Sequence, residues 1–525
     1  MISKEEKEDF LMCPVSERSA KSYLCSCLES NVAPDEISLL RVEDHTKSSL
    51  FVRHPDMNGG VEVNALASRR FSSWFNLNAR NSIGAKQALS YINDLSEFDH
   101  TIPSTRLFLR VGYNSEKVYL NLCNTKHEVV EIGADGWKII PEEQAPVLFV
   151  RNGNMKPLVT PMPFEKFRKD NGNIRMGFEK LRALVNTNDE DFFCVVGWLV
   201  AALNPLVECP ILWMSAGKGR GKTTLTNWLK GLIDPDSTGA LAPFEKEKDF
   251  HVAAASRYII ALDNLSRLTE KWSNIFCRAV TGEGVVQRKL YTDSTAFNMR
   301  LRVPMIVNGI DFKPDRSDLQ DRCYPITLEK LNASSRRGKH ELEVLFEEDR
   351  SLILSALINA VHSALGNTNY QPKSKVDVRM LDASLFVMKA AKANALPFTD
   401  DDFSKILMAK KAELEASEKS QFFDNPLASI IYDMALEAYK SSDDKSTQRI
   451  KVWEGHTSKL FELVTEKAKH MVTGTLKDIP SSPKSFGHRL SELKSVLEEN
   501  GISISRSRTS QYRSTTIMFD VSEGS

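Results

Sequence analysis

The chain has 525 residues, 42% hydrophobic and 26% charged, an ordinary globular mixture long enough for roughly three to five domains. Lys plus Arg and Asp plus Glu balance at 69 each, so any nucleic-acid surface has to be a local patch. No apolar run reaches the ~20 residues of a membrane span, the polar start Met1-Ile2-Ser3-Lys4-Glu5-Glu6-Lys7 is unlike a secretory leader, and the cysteines form no CxxC pair, which argues for a reducing, cytoplasmic setting and against zinc.

Residues 1–80 are weakly patterned and stay unassigned. Residues 83–97 carry the apolar spacing of an amphipathic helix. From Thr105 to Phe149 the period drops to two, in Leu107–Val111, Val118–Leu122 and Val129–Ile132, with Gly and Asn between the runs. Residues 81–175 therefore read as an α+β accessory module, closed by a linker at Pro157, Pro161 and Pro163. Asp189–Leu203 is an apolar helix, Pro210–Ser215 a buried strand, Lys222–Leu232 a helix, and Arg257–Leu262 and Val303–Val307 two further apolar strands. This alternation predicts an α/β domain over residues 176–366, ending in a long helix from Glu341 to Leu365. Residues 367–450 read as a helical segment, and residues 451–525 have a pattern of their own. Cys194, Cys209, Cys277 and Cys323 lie in apolar stretches and read as buried free thiols.

Chemistry concentrates between residues 211 and 322. Ile211–Ser215 followed by Ala216-Gly217-Lys218-Gly219-Arg220-Gly221-Lys222-Thr223-Thr224 is strand, glycine-rich loop and helix. Such a loop lets successive backbone N–H groups converge on phosphate, and the helix start adds partial positive charge there. Gly217, Gly219 and Gly221 would shape the loop, Lys222 would reach the outer phosphates of ATP, Thr223 would ligate Mg²⁺, and Thr224 follows in the binding turn. Ala216 stands where such loops usually begin with glycine. About forty residues on, a buried strand ends in Asp263, placed to hold Mg²⁺. Asn264 follows where many such ATPases carry a glutamate, leaving the water-activating base open. Asn308 ends the next strand, where its amide can orient an attacking water. Arg322 precedes a further strand and suits a finger directed at a neighbouring subunit's nucleotide, with a salt bridge to Asp318 or Asp321 as the plainer reading.

Ala216–Leu328 resembles the superfamily 3-like AAA+ helicases of phages and integrated mobile elements, the DNA primase/helicase type. The likeness rests on the phosphate-binding loop, Leu262–Ser266, Arg288–Asp293, Pro304–Gly309 and Asp318–Arg322. Flanking stretches, Leu107–Thr160 and Arg379–Asp382, extend it to roughly residues 85–520. What the resemblance lacks is an N-terminal primase domain: the region ahead of it carries no acidic DxD constellation and no zinc ribbon. The resemblance implies a ring, with Asn308 as sensor 1 and Arg322 as the finger. It also implies a channel hairpin that grips DNA, which the sequence places at Gly284–Arg302 around the turn Thr292–Thr295. Arg288, Lys289, Arg300 and Arg302 are then the candidate phosphate contacts.

Near the C-terminus, Pro483–Glu499 has a helix-starting Ser482 and a helix-stopping Gly501. Two alternating runs follow, Ile502–Arg508 and Gln511–Phe519, and Trp453–Lys469 would supply an earlier helix. Helix then two-stranded ribbon is winged-helix order, and Lys484, His488, Arg489, Arg506, Arg508 and Arg513 put positive charge where DNA phosphates would lie. The expectation is an α/β AAA+ P-loop ATPase core with an N-terminal α+β module, a helical segment and a C-terminal winged-helix domain. It would act as an ATP- and Mg²⁺-dependent, hexameric DNA helicase in replication of a mobile element. An initiator or DNA-binding switch using ATP only for assembly, a small-molecule kinase, and a defence ATPase are the rivals.

Overall fold

A computed structural model describes the chain except residues 1–19, 29–31, 43–49, 57–59, 80–84, 100, 171, 267, 283, 289–295, 301, 311–313, 315, 331–337, 374, 442–448, 470–478, 509–512 and 521–525. Two compact units emerge, Met1–Lys410 and Lys411–Ser525. No helix among the described residues is long and apolar enough to cross a membrane.

The first unit begins with α1 (Ala20–Ser26), β1 (Ser38–Val42), β2 (Leu50–Pro55), β3 (Val61–Ala65), α2 (Arg69–Asn78), α3 (Ala85–Phe98) and β4 (Ser104–Thr105). The strands form a sheet in the order β3-β2-β1-β4, with β1 and β4 parallel. Ser68 caps α2 by accepting the Phe71 amide, and Phe71, Phe75, Ala88 and Ile92 share one core with Leu39 and Val52. The helix expected near residues 83–97 therefore packs with the N-terminal layer and not with the module that follows it. Its periodicity gives an apolar face but does not say which sheet covers that face.

Next come β5 (Leu107–Phe108), β6 (Val111–Tyr113), β7 (Val118–Asn121), β8 (Glu128–Gly133), β9 (Gly136–Pro141) and β10 (Leu148–Phe149). β6 to β9 form an antiparallel meander and β5 pairs with β10, as the period of two predicts. His127 joins this module to the N-terminal layer. Its Nε2 lies 2.5 Å from Asp56 Oδ2, and its Nδ1 lies 3.8 Å from Glu142 Oε2. Gly60 packs against the ring so closely that a Cβ there would come within 2.4 Å of it. Glu142 foremost, and Asp56, raise the His127 pKa against burial and the Arg151 charge. A raised folded pKa contributes stability that is complete below the ordinary imidazole value of about 6.5 and is lost as pH climbs through the folded value. The melting temperature should therefore fall as the pH rises above about 6.5 in the wild type more than in His127→Gln. Parallel pH profiles for the two proteins would refute the clamp.

The α/β region contains α4 (Phe164–Lys169), α5 (Gly172–Leu184), α6 (Asp189–Ala202), β11 (Ile211–Ser215), α7 (Lys222–Ile233), α8 (Glu247–Ser256), β12 (Ile260–Leu265), α9 (Glu270–Thr281), β13 (Gly284–Arg288), β14 (Ala296–Arg300), β15 (Met305–Gly309), α10 (Ser317–Gln320) and β16 (Cys323–Thr327). A parallel sheet runs β12-β15-β11-β16, with β11 inside it. Alternate residues of β11 enter two cores: Leu212 and Met214 on one face, Ile211 and Trp213 on the other. Burial on both faces explains why these strands read as unbroken apolar runs. α11 (Lys339–Gly366), α12 (Leu381–Lys392) and α13 (Asp400–Asp424) follow. Cys194, Cys209, Cys277 and Cys323 are buried free thiols, as the sequence suggests, and burial raises the pKa of Cys194 to about 12 and of Cys277 to about 11.

In the second unit, α14 (Pro426–Lys440) precedes β17 (Arg449–His456), α15 (Thr457–Lys469), α16 (Pro483–Glu492), α17 (Lys494–Glu499), β18 (Ile502–Arg508) and β19 (Arg513–Asp520). Their sheet is β17-β19-β18, antiparallel throughout. Three details depart from the sequence reading. Trp453 belongs to β17, paired with Ile517, and not to the helix. The helix expected over Pro483–Glu499 is two helices meeting at Leu493. Leu427, Ile431 and Ala435 of α14 share a core with Leu460, Phe486 and Ile517, so this unit starts before residue 451. In each case the hydrophobic pattern marks an element, and packing decides where it stops.

Candidate functional site

The loop after β11 turns on Gly219 at φ +74° and Gly221 at φ +82°, left-handed conformations that favour glycine. Ala216 has no such need: it is buried in the apolar core and its N–H meets the Gly309 carbonyl at 3.3 Å. The missing glycine therefore leaves the loop's course intact. Gly221 caps α7, so the first amides of that helix open toward the loop. Lys222 Nζ donates to the carbonyls of Ala216 and Gly217, at 2.8 and 3.0 Å. Thr224 is half-buried in the first turn of α7.

Thr223 and Asp263 come together at the ends of α7 and β12. The Thr223 hydroxyl lies 3.0 Å from Oδ1 and 2.9 Å from Oδ2 of the Asp263 carboxylate. These oxygen donors, beside a glycine-rich loop that opens a helix, are of the type that would fit Mg²⁺ carried by a nucleotide. Asn264 follows with φ +61°, and its N–H donates to Asn308 Oδ1 at 2.9 Å. Asn308 is fully buried, and its Nδ2 donates to the Thr226 hydroxyl at 2.9 Å. Sequence spacing finds Asn308 but not Thr226, which looks like one more helix residue.

Two other contributors carry no sequence signal of their own. Asn186 Nδ2 donates to the carbonyls of Arg220 and Glu329, each at 3.1 Å. Arg220 Nη1 donates to the Leu328 carbonyl at 2.8 Å. They fasten the loop to the chain leaving β16. Behind the site, α7 and β12 are held by a buried ionic group. Asp234 accepts from Arg110 Nε at 3.2 Å, from Lys230 Nζ at 3.3 Å, and from the Tyr258 and Ile259 amides at 3.0 Å each. Arg110 comes from the β-module, so that module is fastened directly to the two elements carrying Thr223 and Asp263.

Arg322 lies away from its own loop. Its carbonyl accepts from the Ile211 amide at the start of β11, whereas the loop leaves after Ser215, about 13 Å farther along the strand. Its buried side chain pairs with Asp318, and Nε has no hydrogen-bond partner. The residue therefore lies at the end of the sheet opposite the glycine-rich loop.

The expected ribbon is present: β13 and β14 pair antiparallel, with Arg288 opposite Ala296 and Gly284 opposite Arg300. Lys289 lies outside the described residues, and the side chains of Arg288 and Arg300 are not described. Arg302, at the ribbon's base, donates to the Pro205 carbonyl. In the second unit Lys484 is exposed at the start of α16. Arg489 and His488 both pair with Glu492, at 2.9 and 3.1 Å. Arg506 lies on β18, and Arg508 stands directly opposite Arg513 across the β18–β19 pair.

Residues 178–401 match the family model described as actinomycete integrative conjugative element replication protein, and residues 430–522 match the AICE RepA C-terminal domain. No curated protein matches the chain. Among solved structures, the apo NrS-1 C-terminal region aligns over 93% of this chain and 97% of its own, at 11% identity and a TM-score of 0.37. A structure described as SCCmec type IV Cch, active helicase, aligns over 92% of this chain and 93% of its own, at 11% identity and a TM-score of 0.41. The chain thus matches, in order, two regions of one family, the replication protein of actinomycete integrative conjugative elements.

Proposed function

We propose that the chain is an ATP-hydrolysing DNA helicase that replicates a mobile element, working as a superfamily 3-like AAA+ ring, in the simplest case a hexamer. The observation that carries this reading is the Thr223–Asp263 pair beside the Gly221–Lys222 loop, in a chain that matches a replication-protein family. Bound Mg²⁺·ATP would supply the phosphoryl group and its counter-charge. Lys222 would exchange its two loop carbonyls for phosphate oxygens, Thr223 and Asp263 would hold the metal, and Asn308 would keep the Asp263–Asn264 turn in place. The site of Arg322, far from its own loop, supports a ring in which it serves a neighbour. In the second unit, the order α14, β17, α15, α16, α17, β18, β19 supports a winged helix. Arg508 and Arg513, register partners at the tip of the ribbon, place two basic residues there and support an anionic partner, such as duplex DNA.

The initiator reading keeps one observation in its favour. Arg322 is buried on Asp318 and both ends of the Asn308 amide are engaged internally. A single chain is therefore not set for transfer, and assembly has to come first. Unwinding of a forked duplex separates the two. The helicase reading expects strand separation that requires ATP, together with ATP turnover stimulated by DNA. Absence of both, with site recognition unharmed in Lys222→Ala, would establish the initiator instead.

A further inference from the structure

Thr226 lies one turn into α7 and is fully buried. Phosphate binding gives no reason for a hydroxyl there, and its neighbours Leu225 and Leu229 are core residues. The reason lies across the sheet. The β12–β15 ladder runs in register to Leu262 opposite Val307, then slips, so that Leu265 faces Gly309. Asp263 and Asn264 occupy the slip. Asn264 turns left-handed, and its N–H leaves the ladder to meet Asn308 Oδ1. That donor decides the sense of the Asn308 amide. Oδ1 has to face Asn264, so Nδ2 has to face α7, where only an acceptor can satisfy it. Thr226 Oγ1 is that acceptor.

We propose that Thr226 is a positioning residue of the nucleotide site. Through Asn308 it ties the Asp263–Asn264 bulge to α7, the helix that begins with Lys222 and Thr223, and so keeps the Asp263 carboxylate at the Thr223 hydroxyl. The proposal rests on the ATPase reading. A valine at 226 has the shape of threonine but leaves a buried amide donor unsatisfied, which the bulge relieves by shifting.

The test uses the full chain and the variants Thr226→Val, Thr226→Ala, Thr226→Ser, Asn308→Ala and the double variant T226V/N308A. ATP turnover, the Mg²⁺ concentration for half-maximal rate, binding of a fluorescent ATP analogue in EDTA, and the melting temperature are measured. Thr226→Val and Thr226→Ala should lower kcat about tenfold and raise the Mg²⁺ requirement, while binding in EDTA persists. Thr226→Ser should recover most of the rate. In the Asn308→Ala background, Thr226→Val should add no further loss, because its effect passes through Asn308. Wild-type kcat in both Thr226→Val and Thr226→Ala, or an equal further loss in the Asn308→Ala background, overturns the proposal. A wild-type chain with no ATP turnover overturns the ATPase reading and this proposal together. Wild-type turnover that Lys222→Ala removes, with Thr226 indifferent, overturns only the latter.

Discussion

Lys222→Ala is expected to lower ATP turnover by roughly 100- to 1,000-fold, the effect of removing one charge-stabilising donor at a phosphoryl site. The expectation comes from geometry as well as motif. Nζ already sits over the loop, on the Ala216 and Gly217 carbonyls. In the proposed reading, converging loop amides and Lys222 would meet the outer phosphates, and alanine would keep only the amides. The loop's course is set elsewhere, by Gly219, Gly221 and the Arg220–Leu328 contact. The variant should therefore melt close to wild type, and radiolabelled ATP turnover beside a melting curve separates chemistry from folding. Turnover that survives would move the catalytic centre away from this loop.

The second large effect concerns stability. Asp234→Ala should cost about 3–5 kcal/mol, the range for breaking a buried charge pair by removing one partner. Side chains of Arg110, Lys230, Asp234 and Asp236 are all nearly inaccessible. Asp234 accepts from Arg110 Nε and from the two amides just before β12, while Asp236 accepts from Lys230 at 3.1 Å and from Arg257 at 3.2 Å. Without Asp234, Arg110 is left with backbone carbonyls only, Lys230 keeps Asp236, which Arg257 already shares, and two backbone N–H groups lose their acceptor. Urea unfolding of the full chain should show the transition of the first unit moving to lower urea. An unchanged midpoint would mean that the cluster is hydrated and the charges are not held by one another. Because Arg110 belongs to the β-module, the same measurement asks whether that module is an integral wall of the α/β region.

Much of the candidate site was legible because phosphate chemistry restricts residue types over a short span. Glycines at 219 and 221, Lys222 and Thr223 announce themselves within one turn of chain, and Asp263 and Asn308 follow at the ends of apolar runs. Other members were invisible for a physical reason. Thr226 acts through Asn308, 82 residues away, Asp234 through Arg110, 124 residues away, and Asn186 through the Glu329 carbonyl, 143 residues away. A polar residue whose partner is that distant resembles any helix or loop residue until the chain has folded. Arg322 was legible as a candidate, but only the strand register shows that it lies at the end of the sheet opposite its own loop.

By itself the sequence determined the alternation of apolar strands and helices, the glycine-rich turn before Lys222, and the period-two runs of the two β-rich regions. These depend on residue spacing and backbone freedom, which are local. Tertiary structure alone decided that the helix from Ala85 joins the N-terminal layer, that Trp453 is a strand residue, and that α14 completes the C-terminal core. It also decided that the Asp263–Asn264 bulge is tied to α7 through Asn308 and Thr226. Those outcomes depend on which apolar face finds which partner, and on where a displaced N–H finds an acceptor once water is excluded.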